Sequence, residues 1–178
     1  SLHYLNKTNV LLYWHIGTRI NENILNEKRA SYGKSVIEDL ALKLQTYYGQ
    51  GFGRRVIERC VQFVRYFADE KIVVALSAHL KWTHFVTLLS MEDQLKREFY
   101  AEMCRIERWS TRQLNEKIDG MLFERTALAK KPESVIQSEI EKLRNTNELH
   151  PDWIIQDPYI FENLLPLSNN TEKSLEDA

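Results

Sequence analysis

Chain breakers are scarce in this sequence, with six glycines and four prolines among 178 residues. They separate long stretches in which apolar residues recur every three or four positions, the spacing that gathers them on one face of a helix. The fold class this predicts is all-α: a multi-helix domain with helix-turn-helix-like elements, followed by a C-terminal extension. A hydrophobic content of 43% supplies a core, and 28% charged residues with a mean hydropathy of −0.44 argue against a disordered chain.

The periodicity sets the expected elements. Leu11, Leu12, Ile16, Ile20, Ile24 and Leu25 mark a helix from about Thr8 to Asn26. Ala30 to Gly33 reads as a break, and Ser35-Val36-Ile37-Glu38 fits the capping box that opens a second helix, which Gly49 ends. Gly49-Gln50-Gly51-Phe52-Gly53 is a glycine turn, with a third helix from Arg54 to about Phe67. Ile72 to Leu76 has the β-branching of a strand and the length of a buried helical turn, and a helix is expected there. A short helix over Thr83–Leu89 follows, then a long one from Met91 to Arg108, begun by Ser90 and buried through Leu95, Phe99, Met103 and Ile106. Ser110 to Gln113 is another capping box, for a helix through Leu114, Ile118, Met121 and Leu122 to about Ala129. Pro132 suits the first turn of a last helix, to Arg144. Residues 1–150 are thus expected to form the helical domain, with a helix-turn-helix-like unit over 35–67. Residues 151–178 form an aromatic and acidic extension whose end, from Ser168, reads as linker.

Several function classes fall away. The longest apolar run, Ile72 to Leu76, is five residues against the roughly 20 that a membrane span needs. Ser1-Leu2-His3-Tyr4 lacks the basic-then-apolar start of a signal peptide. Cys60 and Cys104, both inside helical patterns, do not make a disulfide scaffold, so a soluble cytoplasmic protein is expected. The five histidines are widely spaced and no HExxH or CxxC occurs, which argues against a metal site. The glycine-rich nucleotide loops and the GxSxG elbow are missing too. Asp69-Glu70-Lys71 offers D-x-K, but no strand precedes it to carry a nuclease centre. No catalytic residue, metal ligand or cofactor is assigned.

The net charge of −1 hides an asymmetry. Residues 157–178 carry five acids against Lys173, a balance of −4, which leaves +3 for the rest. The chain opens without Met inside an apolar pattern and closes in a polar tail, as expected of a piece of a longer protein.

The third helix concentrates the cations. Arg55, Arg59, Gln62 and Tyr66 recur at i, i+4, i+7 and i+11, opposite the apolar Val56, Ile57, Cys60, Phe63, Val64 and Phe67. Arginine suits phosphate or guanine edges, glutamine adenine, and tyrosine phosphate or stacking. Arg54 and Arg65 flank the stripe and Glu58 is its only acid, so the helix carries +3. Arg54 and Arg55 also oppose the helix dipole, a conflict that an approaching phosphate relieves. An ordinary solvated face and a protein-binding face are the alternatives. Lys81, Arg108 and Arg112 could add phosphate contacts around a second helix start. Phe52-Gly53-x-Arg55-x-Ile57 is echoed by Trp109-Ser110-x-Arg112-x-Leu114, two helix starts stapled by an aromatic residue. His84, in Leu80-Lys81-Trp82-Thr83-His84, is expected to fix a helix start by a hydrogen bond. Trp153, Ile154, Tyr159 and Phe161 are apolar enough to form a protein interface in the extension.

Taken in order, several segments resemble the YhcG-like family of bacterial proteins. They are Tyr13-Trp14-His15-Ile16-Gly17, Tyr32-Gly33, Gly51-Phe52-Gly53-Arg54-Arg55, Leu80 to His84, Phe99-Tyr100, Trp109 to Leu114, Leu122-Phe123-Glu124-Arg125 and Asp157 to Glu162. The resemblance covers about residues 8–165. It departs at Gly53, where the family usually has serine. It implies an N-terminal helical domain of unknown function that precedes a PD-(D/E)XK nuclease-like domain, with the chain ending about where that nuclease begins. The expectation is therefore a non-catalytic module that binds or positions duplex DNA for its own nuclease domain, in a parent that acts on foreign DNA. The rival expectation is an oligomerisation or domain-docking module.

Overall fold

In the computed structural model, residues 2–26, 30–126 and 128–149 are described. They form α1 (Leu2–Asn26), α2 (Ala30–Tyr48), α3 (Arg54–Tyr66), α4 (Glu70–Ser77), α5 (Trp82–Leu88), α6 (Gln94–Glu107), α7 (Thr111–Asp119), α8 (Leu122–Arg125) and α9 (Glu133–Thr146), with 3-10 turns at Gln50–Phe52 and Leu128–Lys130. No strand occurs among the described residues, so the all-α class holds and the segment after Asp69 is a helix. The aromatic extension, with Trp153, Ile154, Tyr159 and Phe161, lies outside the described residues.

The central contact is α1 against α3. It is close because Gly17 has no side chain: a Cβ there would stand 2.0 Å from the Cys60 carbonyl oxygen. The Trp14 indole N–H donates to the Phe67 carbonyl at 2.8 Å, tying the same pair of helices at the end of α3. Outward from this seam, Phe63 packs on Phe85 at 4.7 Å between ring centres, and Phe67 meets Phe85 at 5.5 Å. A second aromatic knot, Phe99 with Tyr100 and Phe123, joins α6 to α8. Ile136, Ile140 and Leu143 of α9 close the same core. A smaller cluster of Ile20, Ala41, Ile57 and Val61 holds α2. Cys60 and Cys104 are buried free thiols, and burial pushes each up to about 12.

Pro132 is the N-cap of α9 rather than part of its first turn, and α9 runs on to Thr146. Four other boundaries differ from the sequence expectation. α1 starts at Leu2 rather than near Thr8, and its first turns carry the exposed Tyr4 and Leu5. α2 starts at Ala30, so the expected break at 30–33 and the capping box at Ser35 both lie within the helix. A helical glycine costs about 1 kcal/mol relative to alanine, too little to stop a helix that packs Ile37, Leu40, Ala41 and Leu44. α6 is capped by Asp93, which accepts from the Lys96 N–H at 3.0 Å, and not by Ser90. Ser90 instead closes α5, its hydroxyl donating to the Thr87 carbonyl at 2.6 Å.

The fourth difference is the helix expected from Ser110 to Ala129, which ends at Asp119 and resumes at Leu122, with Met121 left-handed at φ 53°. The Tyr100 hydroxyl occupies the break. It donates to the Lys117 carbonyl at 3.3 Å and accepts from the Phe123 N–H at 3.2 Å. Apolar spacing runs unbroken across this point, so periodicity alone could not reveal it.

Candidate nucleic-acid interface

α3 places the stripe. Its buried side, Ile57, Cys60, Val61 and Phe63, faces the core, and Gly53 begins the helix with no side-chain cap. Of the two arginines in its first turn, Arg54 is balanced by acids, with Glu58 at 2.8 Å and Glu38 at 2.7 Å. The hydrogen bond to Glu58, then the charges of Glu58 and Glu38, raise the Arg54 pKa. Arg55 is exposed, Arg59 is half-buried, and neither forms an ion pair among the described residues.

The other two members of the stripe turn inward. The Gln62 amide donates to the Leu89 carbonyl at 3.0 Å, fastening α3 to the end of α5. The Tyr66 ring lies beneath the Arg97 guanidinium, 3.9 Å from its centre. Arg59, Gln62 and Tyr66 do share an open cavity of about 310 Å³ with Ser90 and Glu92. Periodicity thus put all four on one face, while contacts divide them into two outward cations and two structural side chains.

Lys81, Arg108 and Arg112 converge on the helix starts that the Leu80–His84 and Trp109–Leu114 motifs encode. His84 Nδ1 accepts from the Lys81 N–H at 3.0 Å, fixing the start of α5, and Nε2–H donates to the Trp109 carbonyl at 2.9 Å. Thr83 and Thr111 hydroxyls meet at 2.9 Å, so the first turns of α5 and α7 are joined. Burial, foremost, lowers the His84 pKa, the direction that favours the form in which Nδ1 accepts from the Lys81 N–H. Ser110 caps α7 with Gln113 as the reciprocal partner, as the sequence predicts. Around this corner Lys81 is exposed, Arg108 donates to His79 Nδ1 at 2.5 Å, and Arg112, 89% exposed, pairs with Glu116 at 2.9 Å.

An aromatic chain links this corner to the glycine turn before α3. Phe52 lies 6.3 Å from Tyr13, which lies 4.5 Å from Trp82. The three family-like segments Tyr13–Gly17, Gly51–Arg55 and Leu80–His84 are therefore neighbours, and Gly17 provides the close approach that lets them meet.

The family model of the DUF1016 N-terminal domain matches residues 1–125. The chain belongs to that family. A curated relative, "Putative nuclease YhcG" of Escherichia coli (strain K12), is 26% identical over an alignment 196 residues long that covers 93% of this chain and 52% of the relative. The chain thus spans about half the length of that relative. No solved structure matches. The YhcG-like resemblance read from the motifs is correct, and the DUF1016 N-terminal region contains α1 to α8 with every cation considered above; α9 lies past it.

Among the described residues, no three His, Cys, Asp or Glu side chains gather in a group that could hold a metal ion. No described helix is long and apolar enough to cross a membrane. Sequence reasoning passed over Arg97, which is 3% exposed in α6. A signal was available: Arg97 stands in helical register with the buried Tyr100, Ala101 and Cys104, a face where arginine is rarely left.

Proposed function

We propose that this chain is a non-catalytic module that binds duplex DNA and positions it for a nuclease domain of a longer parent protein. The observation that carries the proposal is the exposed Arg55 in the first turn of α3, without an ion pair among the described residues, with Arg59 one turn on. A cation at that end opposes the helix dipole, and an anion docking there removes the conflict. Lys81 and Arg108 supply further charge around the glycine turn and the start of α7, in the manner of a helix-turn-helix surface that grips phosphates, while Arg54 and Arg112 join by exchanging their carboxylate partners for phosphate. Gln62 and Tyr66 serve in this scheme by holding α3 in place, not by meeting bases. The kinship with a relative named as a nuclease supports nucleic acid as the partner. The module needs no cofactor of its own.

Fluorescence anisotropy with labelled duplex DNA, from about 50 to 200 mM salt, tests this. Affinity should fall with a log–log slope of about −0.9 per phosphate contacted. Arg55→Glu with Arg59→Glu should abolish binding at an unchanged melting temperature; unaltered affinity in that double variant rules the interface out.

A second reading is assembly, with another copy or the nuclease domain as the partner. Tyr4, Leu5 and Leu12 on α1 and Leu42, Tyr47 and Tyr48 on α2 are large apolar side chains left exposed. Light scattering tests the first of these partners: a strict monomer at high concentration removes self-assembly.

A further inference from the structure

Arg97 is the least expected side chain in the core. It is 97% buried by its 3% exposure, yet it forms no ion pair among the described residues. One terminal nitrogen, Nη1, donates to the Met91 carbonyl at 2.7 Å and more weakly to that of Glu92 at 3.4 Å. The Tyr66 ring covers one face of the guanidinium at 3.9 Å. Nε is buried with no hydrogen-bond partner among the described residues. Desolvation, foremost, lowers the Arg97 pKa, the charges of Glu98 and Asp93 oppose that shift, and a buried cation without a direct ion pair is a costly arrangement.

Arg97 is among the residues that line a cavity of about 240 Å³ between the end of α3, the start of α4 and the first turns of α6. Its charged lining is Arg65, Asp69, Arg97, Glu98 and Arg144. The two carboxylates are already engaged. Glu98 pairs with Arg144 at 2.9 Å, and Asp69 caps α4 through the Lys71 N–H at 2.8 Å. Arg144 is also held by Glu102 at 2.7 Å. Arg65, which is exposed, and Arg97 are thus the lining cations that form no ion pair among the described residues.

We propose that this cavity is an oxyanion site that accepts a protruding phosphate monoester, with Arg97 at its floor and Arg65 at its mouth. The burial of Arg97 selects the form of phosphate. A terminal phosphate projects further than a diester flanked by two sugars, and so suits a side chain with only 3% exposure better. The volume admits a tetrahedral group with a few waters, each with a share of about 30 Å³. Tetrahedral oxygens can serve both arginines together, and charge-assisted bonds of this kind are the strong ones. The site is separate from duplex holding by Arg55 and Arg59, and each can fail alone.

The test is a titration of the 178-residue chain with inorganic phosphate, followed by nitrogen–proton NMR of the arginine side chains, against sodium chloride at matched ionic strength. The expected result is a saturable shift of the Arg97 Nε–H signal that chloride does not produce. Arg65→Ala, a surface change that leaves the core intact, should weaken phosphate about tenfold, the loss expected of one charge-assisted hydrogen bond. Arg97→Lys should do the same where it folds; the Arg65 variant decides the matter where it does not. A shift that does not saturate, or a saturable one indifferent to Arg65, overturns the proposal. The source of the phosphate follows from two single-stranded oligonucleotides of one sequence. A preference of about tenfold for the 5′-phosphorylated form over the 5′-hydroxyl form points to a nucleic-acid end; equal affinity, with phosphate saturation intact, points to a free phosphate compound.

Discussion

Gly17 shows what one absent methyl group can decide. The Cβ of Gly17→Ala would lie 2.0 Å from the Cys60 carbonyl oxygen and 2.8 Å from Val64 Cγ2. The nearer obstacle is backbone, so α1 and α3 must move apart. Overpacking of this kind costs about 1–3 kcal/mol or more, and chemical denaturation of Gly17→Ala should show a loss at or above the top of that range. His84 gives a second residue-scale test. Burial holds its pKa below the ordinary 6.5, so between the two values the folded chain binds fewer protons than the unfolded one. Its contribution is therefore complete above pH 6.5 and declines as the pH falls below that value. Melting temperatures from pH 8 to 5 should fall less steeply in His84→Gln than in the parent chain. The role of His84 at a helix start was legible because the motif Leu80–His84 puts it three residues after the N-cap. The inward turn of Gln62 and Tyr66 was not legible, since it depends on Leu89 and Arg97, which lie 27 and 31 positions further along.

At the scale of elements, α6 and α9 are joined by charge as well as by apolar packing. Glu102, 1% exposed, receives Arg105 and Arg144, each at 2.7 Å, and Arg144 also reaches Glu98. Burial opposes the charge of Arg144, and hydrogen bonds and charge from Glu102 and Glu98 more than offset it, so its pKa is raised. Glu102→Ala removes the shared acceptor and leaves two cations half-sealed. A loss of about 3–5 kcal/mol is expected, measured by urea unfolding, the range found when a buried ion pair loses one partner. The same comparison shows where sequence patterns reach their limit. Apolar spacing found α3, α4, α5, α6 and α9 because each has a buried face of its own. It ran through Gly120 and Met121 because the interruption is imposed from another helix, by the Tyr100 hydroxyl. Ser35-x-x-Glu38 has the letters of a cap inside a helix, whereas Ser110-x-x-Gln113 is a true one; only the chain before them distinguishes the two.

For the whole molecule, the apolar interior is unequal. One large cluster runs from Val10 and Trp14 through α3 to α9, while α2 is held by the small group around Ala41 and Ile57. Opening free energies follow buried apolar contact, so native-state hydrogen exchange should find α2 amides at least about tenfold faster than those of α6. Uniform protection across both helices would show that the two clusters unfold as one unit. Nothing in composition announced this division, because α2 carries as regular an apolar face as its neighbours. Its partners, Ile20 of α1 with Ile57 and Val61 of α3, are supplied from elsewhere in the chain. The cation-bearing first turn of α3 borders this smaller cluster.

The sealed thiols have a practical consequence. Cys60 and Cys104, the two cysteines of the chain, are both buried and pushed up to about 12, so neither offers a thiolate to an alkylating dye while the fold is intact. These 178 residues are therefore already a blank for site-directed labelling. A single cysteine placed at an exposed position beside Arg55, such as Glu58, would carry a fluorophore alone and report on whatever docks against α3.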